Sequence, residues 1–388
     1  MKTITTLKET TKHSIRSIAA YGLKQGYSVA LWRLPNQTKV NLILTSNNKP
    51  IDDLSLEESK PGFVFAPFIP SKPKYFLECD HHFEIISDSI QELTPGQIKE
   101  VALKTMSSLK LNFHAGPITT STTSPQDYLE LVKLSLNAVE AGAFEKVVPS
   151  MQRRIDIESD FDLLNAFEEL SKKYPMAMVS LLSDSSIGTW LGATPELLVS
   201  TDKNGIFKTT ALAGTQVYNE HVPLRNISWT QKEIEEQALV ERYIISCFKK
   251  IRVREYDEHG PKSVQAGNLI HLKSDFEVDM KEVNYPQLGS VMLKLLHPTS
   301  AVCGMPMEPS FKFIQENEPH EREFYAGYLG PVNIEFESHI YVNLRCLKWR
   351  GDHIFLYAGA GVTIDSLPQQ EVEEVEIKMD TIQKALGL

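Results

Sequence analysis

The stretch from Ile354 to Leu388 constrains the fold most, because it reads as strand, glycine turn and helix with charge beside the helix's apolar stripe. Ile354 to Ala358 form a short apolar run of strand type, and Gly359-Ala360-Gly361 allows a tight turn. Ser366 is positioned to cap the helix that follows, and Pro368 suits its first turn. Val372, Val375, Met379, Ile382 and Leu386 recur every three or four residues, the pattern of one buried stripe. Glu371, Glu374 and Lys378 form a second stripe, confined to about 60° of the helix circumference. It borders the apolar stripe, whereas Glu373 and Glu376 point elsewhere. Two readings are open from these residues alone: a solvated face with an acidic first turn favoured by the helix dipole, or a helix lying over a core at the edge of a cleft.

A second acidic pair bears on that choice. Trp229 to Lys250 is helical in pattern, with Ile234, Ala238 and Ile245 on one side. Glu233 and Glu236 repeat the i, i+3 spacing of Glu371 and Glu374, so each pair projects from one side of its helix. Two facing carboxylate pairs repel unless a cation lies between them. Hard oxygen donors, completed by water and substrate, suit Mg²⁺. No Cys or His cluster has zinc spacing, and the adjacent His81-His82 pair cannot chelate one ion as an i, i+4 pair does. Mg²⁺ is therefore the expected cofactor.

With 388 residues, 42% of them hydrophobic, the chain can build one large domain or two ordinary ones. The polar start, Met1 to Ser14, lacks the apolar core of a signal peptide, and no apolar run approaches membrane-spanning length. Cys79, Cys247, Cys303 and Cys346 are scattered, as expected of reduced thiols in a cytoplasmic protein. A net charge of −10 argues against nucleic acid and anionic membrane as partners. It also requires that an anionic substrate be held by local cations.

Short β segments separated by turn chemistry occupy roughly the first third: Tyr27 to Trp32, Val40 to Thr45 and Phe63 to Phe68. Ile118 to Thr123 is Ser/Thr-rich and reads as a loop. Ser124-Pro125 opens a helix with Tyr128, Leu131, Val132, Leu136 and Val139 on its apolar face, and Gly142 ends it. Strand follows at Lys146 to Met151, helix at Asp162 to Lys173, and strands at Met176 to Leu182 and Gly188 to Leu191. Strands arrive in hairpin-like series as well as between helices, so the fold class is antiparallel α+β rather than doubly wound. No G-x-G-x-x-G or Walker loop supports nucleotide binding. Along Ile340 to Trp349, Ile340, Val342, Leu344 and Cys346 alternate with Tyr341, Asn343 and Arg345. Arg345 then either faces solvent or meets an anion. The strand Phe207 to Leu212 runs into Ala213-Gly214-Thr215, a turn able to bring backbone N–H groups against an anion.

In chain order the distinctive segments begin with Phe144 to Ser150, Leu191 to Leu198, Leu212 to Thr215, Lys232 to Glu236 and His271-Leu272. They continue with His297 to Gly304, Glu321 to Gly327, Asn343-Leu344-Arg345-Cys346 and Tyr357 to Gly361, closing on Pro368, Glu371, Glu374 and Lys378. This succession over residues 125–388 resembles the chorismate-binding enzyme family, and within it the isochorismate synthases of the menaquinone and siderophore branches. The resemblance implies a single α+β domain of two large stacked, mainly antiparallel β-sheets with helices outside. Residues 1–120 would be the variable N-terminal part of that fold and 121–388 the chorismate-binding catalytic region.

Isochorismate formation adds water at C2 of the chorismate ring, moves the double bonds and expels the C4 hydroxyl, which needs a base and an acid on different sides of the ring. Lys146 resembles the family's base, a role open to lysine only in its neutral form. Glu196 resembles the acid, which an apolar site must keep protonated. The resemblance further implies Glu236 and Glu374 as direct Mg²⁺ ligands, with Glu233 and Glu371 holding metal-bound water. Gly214, Thr215, Tyr325, Arg345, Ala360, Gly361 and Lys378 match substrate-holding positions, Arg345 as a bidentate grip on the enolpyruvyl carboxylate. His271 matches a histidine that contacts the ring, and His297 a structural one.

Within the family, relatives that make aminodeoxychorismate carry a nucleophilic lysine where this chain has Ala213, and anthranilate synthases carry glutamine where it has Lys146. Water is then the expected nucleophile. Salicylate synthases share Lys146 and Glu196, and the His297 to Gly304 segment with Ala301-Val302 looks closer to the isochorismate-releasing branch. Salicylate synthase, an anthranilate or aminodeoxychorismate synthase component, and a non-catalytic binding protein on the same scaffold are the alternatives. Val372, Val375 and Pro149 depart from the tryptophan, threonine and leucine common at those positions. No amidotransferase segment is present and nothing demands a second subunit, so a monomer is expected.

Overall fold

The computed structural model describes residues 7–8, 11–86, 89–93, 111–117, 122–219, 221–266 and 269–388. Two antiparallel sheets dominate it. The ten-stranded sheet runs in space Leu7–Lys8, Ser89–Glu92, His81–Ile86, Val40–Thr45, Ser28–Arg33, Met178–Asp184, Gly188–Thr194, Cys346–Trp349, His353–Gly359 and Ser150–Asp156. The nine-stranded sheet runs Asp257–Ala266, Leu269–Asp279, Ile206–Val217, Leu197–Thr201, Ser338–Val342, Tyr328–Val332, Gly62–Ala66, Lys74–Glu78 and Asn48–Ile51. A small ladder pairs Lys146–Val147 with Gly304–Met305. Strands from before residue 100 enter both large sheets, so early and late parts of the chain share one hydrophobic core.

The two sheets stack face to face through aromatic side chains. Trp32 meets Phe63 with ring centroids 5.3 Å apart, and Trp190 meets Phe65 at 5.9 Å. An antiparallel strand with one wet face alternates apolar and polar residues. Ser28–Arg33, Met178–Asp184 and Gly188–Thr194 are instead buried along their whole length. Helices explain this by covering the outer face: α1 (Thr11–Lys24) packs on Ser28–Arg33, and α3 (Leu163–Lys173) on Met178–Asp184 and Gly188–Thr194. Between them in sequence, α2 (Pro125–Glu140) starts with a full capping box. Ser124 Oγ accepts from Asp127 N, and the Asp127 carboxylate accepts from Ser124 N.

The remaining α-helices among the described residues are α4 (Gln231–Lys250), α5 (Leu288–Leu296), α6 (Met307–Asn317) and α7 (Pro368–Leu386). On α7, Val372, Val375, Met379 and Ile382 are buried as their spacing requires, against α2, α3 and the strand His353–Gly359. Its cap differs from expectation. Leu367 occupies the N-cap without a side-chain bond, while the Ser366 hydroxyl accepts from Thr363 N and donates to Gly361 O. On α4 the buried side is Leu239, Val240, Tyr243, Ile244 and Cys247, which packs on the strand Ile206–Val217 and on α5. Ile234, Ala238 and Ile245 lie off that face, Ile234 being 47% exposed. The loop expected at 118–123 falls mostly outside the described residues.

Candidate active site

The site lies where the chain passes between the two sheets. Gly188–Thr194 belongs to the ten-stranded sheet and Leu197–Thr201 to the nine-stranded one, so Pro195 and Glu196 sit at the passage. The reverse crossing joins Ser338–Val342 to Cys346–Trp349 through Asn343, Leu344 and Arg345. The crossings are tied together: Val342 N donates to Glu196 O at 3.0 Å, and Thr194 Oγ1 donates to Val342 O at 2.6 Å. The single alternating strand expected over Ile340 to Trp349 is therefore two strands in different sheets. A φ of +48° at Arg345 turns the chain, and Leu344 and Arg345 line the same cavity instead of opposite faces.

That cavity encloses about 100 Å³. Glu196, Gly214, Thr215, Glu236, His271, Tyr325, Arg345 and Lys378, all singled out from the sequence, line it together. Ala301 and Val302 line it as well. His297 is elsewhere, donating from Nε2 to Pro67 O at 3.0 Å and packed edge-on to Tyr328, a structural position.

Glu196 is 5% exposed. Burial pushes its carboxyl up to about 7, against the opposing pull of Lys146, Lys378 and Arg345. A carboxyl with that value keeps about half its population protonated at pH 7, where an ordinary carboxyl is almost wholly ionised. Burial also lowers the Arg345 guanidinium, to about 10, with Tyr174 and Glu196 drawing it back up. His271 Nδ1 donates to Gly214 O at 2.9 Å, which leaves Nε2 to accept from Arg345 Nη2. Burial first, then Arg345, holds this imidazole well below its usual range, so it is a neutral acceptor that orients the guanidinium. Gly214 sits in a register shift of the strand Ile206–Val217 between Ala213 and Gln216, with φ +67°. The expected anion-binding turn is thus a bulge inside a strand. The Ala213 N–H is already donated to Gln237 Oε1 at 2.9 Å.

Lysines neutralise the acidic helices. Lys146, with no exposed surface, donates to Glu236 Oε1 at 2.9 Å. Lys232 on α4 donates to Glu371 Oε1 on α7 at 2.5 Å, and Lys378 pairs with Glu374 Oε1 at 2.7 Å. The repulsion that called for a divalent cation is relieved here by ammonium groups. Among the described residues no three His, Cys, Asp or Glu side chains converge as a metal set. As donors, however, these glutamates suit a hard cation. Glu371 Oε2 is buried without a hydrogen-bond partner, and the Lys232 ammonium is drawn at once by Glu371, Glu374 and Glu236. Burial raises the Glu371 carboxyl despite Lys232, whereas on Glu236 the pull of Lys146, with Lys232 and Lys378, outweighs burial and lowers it. Glu233 is committed otherwise. Its Oε2 accepts from Thr230 N and Oγ1, both at 2.6 Å, and its Oε1 from Gln216 at 3.2 Å. The Thr230-x-x-Glu233 spacing is a capping-box signal in the sequence.

Gly361 is needed for space. A Cβ there would lie 2.6 Å from Glu236 Oε1 and 2.8 Å from Lys146 Cε, so only glycine lets that pair pass under the backbone. Gly359 and Gly361 have no positive φ, which makes them close-approach residues and not the tight turn expected. Gly359 O accepts from Lys378 Nζ at 2.8 Å. Tyr128 belongs by its spacing to the apolar stripe of α2 and by its contacts to the site. It is fully buried, its hydroxyl donating to Pro149 O and accepting from Ala360 N, each at 3.2 Å. It thereby fixes the segment after Lys146 against the segment before Gly361, a role with no signal beyond the aromatic itself.

Known proteins repeat this arrangement of sequence. The family model described as chorismate binding enzyme matches residues 74–387. The chain is 28% identical over 332 residues to the vibriobactin-specific isochorismate synthase of Vibrio cholerae, covering 84% of this chain and 79% of that protein. It is 31% identical over 255 residues to isochorismate synthase EntC of Escherichia coli, covering 63% of each. The structure of MenF, the menaquinone-specific isochorismate synthase from Escherichia coli, superposes with a TM-score of 0.74 at 20% identity, over 99% of this chain and 94% of that one, which is a shared fold. With four-fifths of its length inside the family model, the chain belongs to the chorismate-binding enzyme family.

Proposed function

We propose that this chain is an isochorismate synthase, interconverting chorismate and isochorismate with Mg²⁺ as cofactor. The observation that carries the reading is Glu196, a buried carboxyl held near 7 in the same cavity as Arg345 and Lys378, with the Lys146 amine beside its wall. In its neutral form the Lys146 amine takes a proton from the water that attacks C2, and Glu196 gives one to the C4 hydroxyl as it leaves, so atoms and charge balance across the step. Arg345, held by His271, grips the enolpyruvyl carboxylate, and Tyr325, Gly214 and Thr215 close around the ring, while Ala360 and Gly361 lie just beyond the cavity lining at Gly359. Lys232, Lys378 and Arg345 place positive charge at the site, as an anionic substrate requires of a chain with a net charge of −10.

Glu236 and Glu374 would hold Mg²⁺, with Glu371 holding a metal-bound water, and when bound the ion supplies a positive centre for the ring carboxylate. What supports this is the open Glu371 Oε2 and the three carboxylates that share the Lys232 charge. Glu233 serves by fixing the start of α4, from which Glu236 projects. One chain assembles the whole site, in keeping with a monomer, and all four cysteines are free thiols, in keeping with the cytoplasm. No described helix is long and apolar enough to cross a membrane.

The test is the pH profile of isochorismate formation from chorismate. An acid works in its protonated form, and Glu196 is protonated below about 7. The alkaline limb of kcat/KM should begin near that point, falling about tenfold per unit of pH above it. Glu196→Gln should remove that limb together with most of the rate. A wild-type profile still climbing about two units higher, or no isochorismate at any pH, would contradict the assignment.

A further inference from the structure

Lys232 takes no part in the acid–base pair above, yet it joins the two acidic helices. From the first turn of α4 its Nζ reaches Glu371 Oε1 on α7. The Glu371 side chain is 1% exposed, whereas that of Lys232 keeps 23% of its surface in water. The other two pairs have different duties. Lys146–Glu236 involves the reacting amine, and Lys378–Glu374 is an i, i+4 contact within α7 whose lysine also holds Gly359 O. Lys232 alone of the three spans α4 and α7 at the point where Glu371, Glu374 and Glu236 all act on one positive charge.

We propose that Lys232 is a resident counter-ion, occupying the carboxylate cluster when the divalent cation is away and releasing Glu371 when the cation enters. The inference rests on the Mg²⁺ reading above. A fully buried carboxylate left without a cation is strongly destabilising, so the metal-free protein needs a positive charge at this place. An ammonium and a divalent ion cannot both sit against the same carboxylates without repulsion. Lysine suits an exchange: it is a compact charge on a flexible stem, and its partly exposed side chain has a path to water. Metal binding is then a cation exchange, and the affinity for Mg²⁺ is held down by the competing ammonium.

The experiment is calorimetric titration of Mg²⁺ into the full-length protein without substrate, paired with thermal melting. Lys232→Met should bind Mg²⁺ more tightly than wild type, on the order of tenfold. It should also melt lower without metal and gain more in Tm on adding it. Lys232→Gln, which keeps a hydrogen bond to Glu371 without the charge, should shift in the same direction and serves if the methionine variant does not fold. In wild type, amine labelling read by mass spectrometry should rise at Lys232 when Mg²⁺ saturates, since the exchange frees the ammonium. Mg²⁺ binding by wild type with equal or weaker binding by the variants, or unchanged labelling, overturns the exchange and leaves the metal reading standing. No Mg²⁺ binding by wild type overturns both.

Discussion

Lys146→Ala is expected to lower isochorismate formation by a factor of about 100 to 10,000, the usual worth of a positioned general base. The side chain has no exposed surface and is fixed at both ends. Its backbone lies in the ladder with Gly304–Met305, the Ser310 hydroxyl donates to its carbonyl at 2.9 Å, and its amine reaches Glu236. Truncation removes the proton acceptor and the hydrogen bond to Glu236. Lys146→Met, which keeps the packing, separates the two effects: it should lose the same rate with a smaller fall in melting temperature. Added ammonium should not restore an amino product efficiently, because the cavity walls keep their shape. Chromatographic product analysis reads all three. Isochorismate from Lys146→Ala at the wild-type rate would show that the base is another group.

The second large effect concerns the acidic helices. Glu236→Gln and Glu374→Gln should each abolish turnover, by about a hundredfold or more, with circular dichroism and melting close to wild type. The amide keeps the size of the carboxylate and, at position 236, an acceptor for Lys146, so the fold is not asked to change. The charge that would hold Mg²⁺ is lost, and with it the ion pair to Lys146 or to Lys378. Excess chelator should do to the wild type what these substitutions do, and added Mg²⁺ should reverse it. Full turnover in chelator would remove the metal from the account.

The sequence was most readable where one physical rule acts alone. Periodicity gave the buried stripe of α7, and Ser124-Pro125 gave the start of α2, because the local signal and the tertiary demand agree there. It misled where tertiary structure overrides a local pattern. Ile340 to Trp349 alternates like one strand, but the chain changes sheets at Arg345, and alternation carries no trace of a crossing. Ile234, Ala238 and Ile245 share a face of α4 that is not its buried face, since apolar residues occur all round that helix. The glycines at 359 and 361 read as a turn because glycine permits turning and close approach alike, and only the position of Lys146 and Glu236 decides between them. Facing carboxylates argued for a metal while the lysines that hold them in this structure lay in the same motifs. Lys232 and Lys378 were in view, but the pairing of Lys232 with Glu371 across two helices needed coordinates.

The reaction should add water, expel the hydroxyl and stop there. Water addition and hydroxyl loss are chemically similar, so the reaction should run in both directions. Pyruvate elimination would need the enolpyruvyl group folded over the ring, and Ala301 and Val302 in the cavity wall are small apolar residues that offer no side-chain hydrogen bond to hold that conformer. The decisive measurement follows purified protein with Mg²⁺ from chorismate and, separately, from isochorismate, by chromatography with a lactate dehydrogenase assay for pyruvate. Both incubations should converge on one mixture of the two compounds with little pyruvate. Stoichiometric pyruvate with salicylate fluorescence at neutral pH, or no interconversion from either side, would contradict it.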